Sequence, residues 1–220
     1  MVKVSVTSKL DGIKSWSLQA LDTCPGSLKA DGTLVDACQG CYATTGNYRF
    51  PNVKAPRLHN REDWQRDEWV ADMVAMLQNQ GFFRWFDSGD MYSVGLAMKI
   101  LQVMEQTPHC SHWLPTRMHK FSKFGLVIYA MSQLPNVVVR LSSDSVQGAL
   151  VEGLPEWLQD VPNSTIVPSH DEAPAAFKVC EAYQHEGKCN GCRACWSKDV
   201  RTVAYVAHGQ KMAGVIARAA

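Results

Sequence analysis

Seven of the eight cysteines fall into two groups, and thiols are the residues of this sequence best suited to chemistry. Cys24, Cys38 and Cys41 make the first group, in Thr23-Cys24-Pro25-Gly26 and Ala37-Cys38-Gln39-Gly40-Cys41-Tyr42. Thiolate sulfur ligates iron–sulfur clusters and zinc. Three thiolates are one short of a closed tetrahedral site. A [4Fe–4S] cluster held by them would keep one iron open to a substrate or cofactor, as a catalytic zinc site keeps an open position. The plainer alternatives are a structural zinc with a histidine as fourth ligand, or buried thiols.

The second group is Cys180 followed by Cys189-Asn190-Gly191-Cys192-Arg193-Ala194-Cys195, two CxxC units with a shared centre. This spacing resembles the CxxCxxC run of bacterial ferredoxins. Gly191 gives the backbone freedom to turn, and the small Ala194 lets it lie close to inorganic sulfide. Cys180 would complete the ligand set of a second cluster. Zinc on four cysteines is the rival. Lys188, Arg193 and Lys198 flank the run as counter-charges or as solvated surface. Cys110, the eighth cysteine, falls on a strand and reads as a small buried hydrophobe. Disulfides are disfavoured because the expected compartment keeps thiols reduced.

That compartment is the cytoplasm. Met1 to Leu10 carries Lys3 and Lys9 and lacks the apolar run of a secretory signal. No apolar run approaches the ~20 residues of a membrane helix, so no membrane partner is expected. The formal net charge of +1 offers no field for nucleic acid, which is not expected as a partner.

The elements that must position the thiols follow from periodicity. Length, 220 residues, suits a single domain with the cysteine-rich segment 180–198 inside it. Ser15 to Ala20 reads as a first strand. Trp69, Met73, Met76, Leu77 and Gln80 recur at helical spacing, and Phe82 to Phe86 follows as a short buried strand. Ser93 opens a helix through Leu96, Ile100 and Met104, ended by Pro108. Cys110 to Leu114 is a strand, Phe121 to Met131 a helix, and Val137 to Leu141 the clearest strand. Weaker signals give a helix near Pro155 to Leu158, a strand over Ser164 to Val167, a helical turn over Glu172 to Phe177 and a last strand at Val203 to Val206. Strands alternating with helices imply an α/β fold with a parallel sheet. About six such units make an open or partial barrel, smaller than an eightfold barrel of ~250 residues. Chemistry in such sheets belongs at the C-terminal ends of the strands.

Thr23-Cys24-Pro25-Gly26 with Cys38-Gln39-Gly40-Cys41-Tyr42-Ala43 resembles the opening of small phage-encoded radical-SAM-like proteins. So does Phe83-Arg84-Trp85-Phe86-Asp87-Ser88-Gly89-Asp90 followed by a helix and Trp113-Leu114-Pro115-Thr116-Arg117. The resemblance covers roughly residues 20–145. It implies a partial (β/α)6 barrel of radical-SAM ancestry in the host cytoplasm. It implies that Cys24, Cys38 and Cys41 hold a [4Fe–4S] cluster, with Tyr42 as the aromatic neighbour of the last cysteine. Ser88, Gly89 and Asp90 match the turn that binds the amino group of S-adenosylmethionine, and Ser142 and Ser143 match the place that holds its carboxylate. The sequence departs from the family in its long first cysteine gap and in Ser-Gly-Asp where Gly-Gly-Glu is usual.

Three readings of function follow. The first is a radical-SAM-type enzyme acting on an unidentified substrate, with the C-terminal cluster supplying electrons or binding substrate. The second is a non-catalytic iron–sulfur protein for electron transfer or sensing, which needs an electron donor as partner. The third is a zinc-stabilised nucleic-acid-binding module, for which Tyr48-Arg49-Phe50, Lys54, Arg57, His59, Asn60 and Arg61 interleave base and aromatic. Glu62, Asp63, Asp67 and Glu68 follow and cancel much of that field, so the same stretch reads rather as a structured loop covering the cluster. Asp87 and Asp90 read either as cofactor contacts or as caps of the following helix. Arg117, His119 and Lys120 could meet an anionic substrate or be ordinary loop charges. His109, His112, His170, His185 and His208 show no metal-binding rhythm.

Overall fold

Alternation of buried and polar side chains builds the sheet. In a computed structural model, which describes residues 1–219, the strands are β1 Ser5–Val6, β2 Lys14–Trp16, β3 Phe82–Trp85, β4 Ser111–Thr116, β5 Val137–Ser142, β6 Asn163–Val167, β7 Lys178–Cys180 and β8 Thr202–Val206. The helices are α1 Asp36–Gln39, α2 Pro51–Asp63, α3 Trp69–Leu77, α4 Val94–Gln106, α5 Ser122–Gln133 and α6 Gln210–Ala219. Together the strands form one sheet in the order β1-β2-β3-β4-β5-β6-β8-β7. The β1–β2 pairing is antiparallel; the pairings from β2 onward are parallel.

Strand residues two apart share a face. Phe83 and Trp85 on β3, Leu114 on β4, and Val137, Val139 and Leu141 on β5 join one core with Trp69, Met73 and Leu77 of α3, Ile100 and Met104 of α4, and Phe124, Ile128 and Met131 of α5. Trp16 meets Trp69 and Trp85 edge-on, with ring centroids 5.4 and 6.1 Å apart. Each such buried side chain contributes about 1.5–3 kcal/mol of hydrophobic stabilisation. The alternate residues Arg84, Trp113 and Arg140 belong to the other face. There Leu10, Trp113 and Trp196 form a smaller cluster with Cys189, Cys195 and Tyr205 packed against it.

The strands expected at 82–86, 110–114, 137–141, 164–167 and 203–206 are present, as are helices α3, α4 and α5. Cys110 is fully buried just ahead of β4. His112 is a core histidine, accepting from Trp85 Nε1 at 3.2 Å and paired with Thr107 Oγ1 at 2.9 Å.

Several expectations need correction. The first strand ends at Trp16, because the chain from Leu18 turns to hydrogen-bond Ser88. The stretch containing Arg57 to Arg61 is no loop but helix α2, with Pro51 in its first turn and Pro56 inside it. Glu172 to Phe177 forms turns, not helix, and leads into β7. Neither Asp87 nor Asp90 caps α4: Ser93 is its N-cap residue and makes no side-chain cap bond.

Candidate metal centre and its surroundings

The first cysteine group lies beyond the C-terminal end of β2. Cys24 precedes a short turn over Pro25–Ser27, Cys38 sits in α1, and Cys41 follows it. Three clamps hold these loops. Ala37 donates its N–H to the Asp144 carbonyl at 3.0 Å. Gly40 lies so close to α6 that a Cβ there would stand 2.9 Å from Met212 Cα, so only glycine fits between the two thiols of the CxxC. Lys120 Nζ reaches the carbonyls of Gly26 at 3.1 Å and Leu28 at 3.2 Å, and Asp144 at 2.7 Å.

Cys24 lies near enough to Cys38 and Cys41 for their charges to act on it. Burial pushes the Cys24 thiol up to about 12, and Asp90, Cys38 and Cys41 add to the rise. Burial also raises Cys38 and Cys41, against which Arg117 pulls both down, Lys120 pulls Cys38 and Lys211 pulls Cys41. Among the described residues no set of three His, Cys, Asp or Glu side chains is arranged with ligand geometry about one point. The donor chemistry nevertheless suits a thiolate centre: Arg117 and Lys120 lie near Cys38, and beside it the buried Arg117 Nε and Asp144 Oδ1, with His119 Nδ1 near them, have no hydrogen-bond partner among the described residues. Arg117 Nε and Asp144 Oδ1 are 3.3 Å apart as an ion pair that is not aligned for a hydrogen bond. Orphaned buried polar atoms ask for a partner.

Ser88, Gly89 and Asp90 stand at the exit of β3, beside this group. Ser88 Oγ donates to the Leu18 carbonyl at 2.7 Å and accepts from Arg57 Nε at 2.6 Å. Gly89 has φ +81°, and a Cβ on it would lie 2.5 Å from Leu18 Cβ and 2.7 Å from Thr23 Oγ1. The Asp90 carboxylate accepts from Met91 N at 2.8 Å, Thr116 Oγ1 at 2.8 Å and Arg117 N at 2.9 Å. Burial raises its pKa to about 6 although these bonds pull it down. The three residues thus tie the exits of β2, β3 and β4 together beside Cys24, and their polar groups are engaged within the chain. Ser142 closes β5, its Oγ 3.4 Å from Ser164 Oγ. Ser143 is buried, its carbonyl accepting from Arg117 Nη2 at 2.8 Å and its Oγ from Ser145 N at 3.1 Å.

Tyr42 turns towards β3, where its hydroxyl donates to the Asp87 carbonyl at 2.8 Å. Asp87 is a hub: Arg84 Nη1 donates to it at 3.0 Å and Arg57 Nη2 at 3.3 Å, and Tyr48 hydrogen-bonds to it. Arg57 and Asn60 are buried, so they are not available to nucleic acid. Arg117 and Lys120 serve as loop ties rather than free charges.

The second group gathers Cys180, Cys189 and Cys195. Cys180 ends β7 in register with Tyr205 of β8, whose hydroxyl lies 3.3 Å from Cys195 Sγ. Burial lifts the Cys189 thiol to about 11, with Cys180 and Cys195 adding to it. Cys195 is raised by burial too. Cys192 is exposed and is not drawn in with them. All eight cysteines are free thiols.

Residues that spacing did not single out hold this second group. Arg140 Nη2 donates to the carbonyls of Ala194 at 2.7 Å and Ser197 at 2.9 Å, Nη1 to Val200 at 2.9 Å, and Nε to Cys195 at 3.1 Å. A lone arginine inside Val-Val-Val-Arg-Leu was its signal. Tyr205 and the α6 residues Lys211 and Met212 carried none.

No curated protein and no solved structure matches the chain. Residues 3–218 match the family described as gene product 88, and the chain belongs to that family.

Proposed function

We propose that this chain is an iron–sulfur protein of radical-SAM-like architecture, with Cys24, Cys38 and Cys41 holding a site-differentiated [4Fe–4S] cluster that binds S-adenosylmethionine. The observation that carries this reading is that the Cys24 loop and the Cys38–Cys41 segment are tied together beyond the C-terminal end of β2, Val35 donating its N–H to the Ser27 carbonyl at 2.9 Å and Lys120 reaching the Gly26 carbonyl at 3.1 Å. The connectivity supports it: β2 to β6 follow one another in sequence across the sheet, and α3, α4 and α5 pack into one core on a single face, as a partial (β/α)6 barrel requires.

Such a cluster, when bound, supplies the electron that splits the sulfonium of S-adenosylmethionine into methionine and a 5′-deoxyadenosyl radical. The chain's own residues bind and orient. Arg117 and Lys120 offset negative charge at Cys38. Ser142 closes β5 and Ser143 follows it, at the place where the carboxylate of the ligand would be met. Asp90 fixes the exits of three strands around Cys24. Anaerobic reconstitution with iron and sulfide, then dithionite and S-adenosylmethionine, is expected to give 5′-deoxyadenosine above a Cys41→Ala control; equal amounts in the two would end the proposal.

One observation favours a second reading, a non-catalytic iron–sulfur protein on the same scaffold. Ser88 and Asp90 spend their hydrogen bonds inside the chain. Under that reading the protein is brown, holds iron and sulfide, and shows a redox signal that S-adenosylmethionine does not change.

A further inference from the structure

Arg140 is fully buried, and every hydrogen bond its guanidinium makes goes to a backbone carbonyl. No carboxylate pairs with it among the described residues. Burying an unpaired charge is expensive unless an anion sits near. Arg84 is also buried, and its partner Asp87 is shared with buried Arg57. Arg84 and Arg57 therefore already take up that carboxylate. Asp11, which lies near Cys189, is already paired with Arg193 at 2.9 Å. The groups left to answer Arg140 are thiols: its Nε binds the Cys195 carbonyl, Cys189 and Cys195 pack with Tyr205 against one cluster, and Cys180 pairs with Tyr205 across β7 and β8.

We infer that Cys180, Cys189 and Cys195 hold a second, anionic iron–sulfur centre, and that Arg140 is its buried counter-ion and the residue that positions its loop. Metal binding strips protons from thiols, so the centre would bring the negative charge that the buried arginines lack. Arg140 ties together the carbonyls of residues 194, 195, 197 and 200, fixing the backbone that carries Cys195. The Tyr205 hydroxyl 3.3 Å from Cys195 Sγ adds a donor aimed at a ligand sulfur. Hydrogen bonds to sulfur and nearby charge are the protein's means of setting a cluster's potential. That favours a redox centre over a structural zinc. Exposed Cys192 is the one thiol of the run free to turn in as a fourth ligand. The inference shares the iron–sulfur reading above but stands on different residues.

The test uses the full chain with Cys24, Cys38 and Cys41 changed to serine, so that the first site cannot contribute. Reconstituted anaerobically with ferrous iron and sulfide, it is expected to be brown and to hold iron and sulfide in equal amounts. Adding Cys195→Ala should remove them. Arg140→Gln should weaken iron retention on the order of 10- to 100-fold, the usual effect of losing an outer partner of a metal ligand. Because that variant could fold poorly, Tyr205→Phe supplies a milder arm: iron content is kept, and the midpoint potential read by electron paramagnetic resonance moves to more negative values. A triple-serine chain that holds no iron, or holds zinc and is colourless, overturns the inference while leaving the Cys24 site intact. So does a Tyr205→Phe potential identical to that of the parent. If instead wild type holds no more iron than the triple-serine chain, the proposed function fails and this inference stands.

Discussion

The guanidinium of Arg84 lies 3.5 Å through Nη2 from the hydroxyl of Tyr42, the residue that follows Cys41. The same guanidinium stacks 4.6 Å from the Trp113 ring, and Trp113 touches Trp196, the neighbour of Cys195, with centroids 5.0 Å apart. Arg84 thus stands between the two cysteine groups and contacts the surroundings of each.

Loss of Arg84 should loosen both. Arg84→Met leaves Asp87 to Arg57 and Tyr48 and strands part of a buried carboxylate. Breaking a buried pair of this kind is expected to lower the unfolding free energy by about 3 kcal/mol. Arg84→Lys keeps the charge but loses the fork and the stacking, so a smaller loss is expected. Urea unfolding followed by tryptophan fluorescence checks this; an unchanged midpoint in Arg84→Met would show that the bridge carries no stability.

Asp90 gives the fold a pH dependence with a definite sign. Its carboxyl titrates near 6 in the folded chain against an ordinary 3.8, because burial disfavours the charge. Between those values the folded state binds more protons than the unfolded one, so stability falls as pH rises through the window. The full effect of a shift of this size is up to about 3 kcal/mol. Denaturant titrations at pH 4.5 and 7 should show the drop. In Asp90→Asn the drop should shrink; the same drop in the variant would assign it to another group.

Much of this was legible beforehand, and the failures have physical causes. Strands β3 to β6 and β8 announced themselves by short apolar runs, and α3 to α5 by apolar residues at helical spacing. Helix α2 did not, because Pro51 and Pro56 read as breakers and Arg57, Asn60 and Asp63 are polar residues buried by hydrogen bonds rather than apolar ones. β7 is three residues long, too short to show alternation. That Cys24 and the Cys38–Cys41 segment share one loop region beyond β2 was legible from their place in the sequence. The internal engagement of Ser88 and Asp90 was not, since their partners Leu18, Thr116 and Arg117 come from other strands' exits.

Gly89 is the tightest point of the loop bracket. Alanine there must adopt φ +81° and drive a methyl into Leu18. Left-handed strain and overpacking together predict a loss of about 3 kcal/mol or more. Gly81, where an added Cβ meets nothing within 4 Å, is the control, and Gly81→Ala should stay within about 0.5 kcal/mol. Thermal melts of the two variants decide; equal melts would mean the bracket yields easily.

The thiols should separate by reactivity. The nucleophile is the thiolate, so a thiol that is buried and held protonated reacts slowly with an alkylating reagent. Cys24 and Cys110 are both pushed up to about 12, and Cys110 is fully buried. Cys192 is exposed. Timed alkylation of metal-free chain at pH 8, read by peptide mass spectrometry, should label Cys192 first and Cys110 last. Reconstitution with iron and sulfide should then protect Cys24, Cys38 and Cys41, and also Cys192 if that thiol turns inward to complete the second centre. Labelling of Cys192 undiminished by reconstitution would leave Cys180, Cys189 and Cys195 as the whole ligand set, and labelling of Cys24 ahead of Cys192 would contradict the burial on which the first site rests.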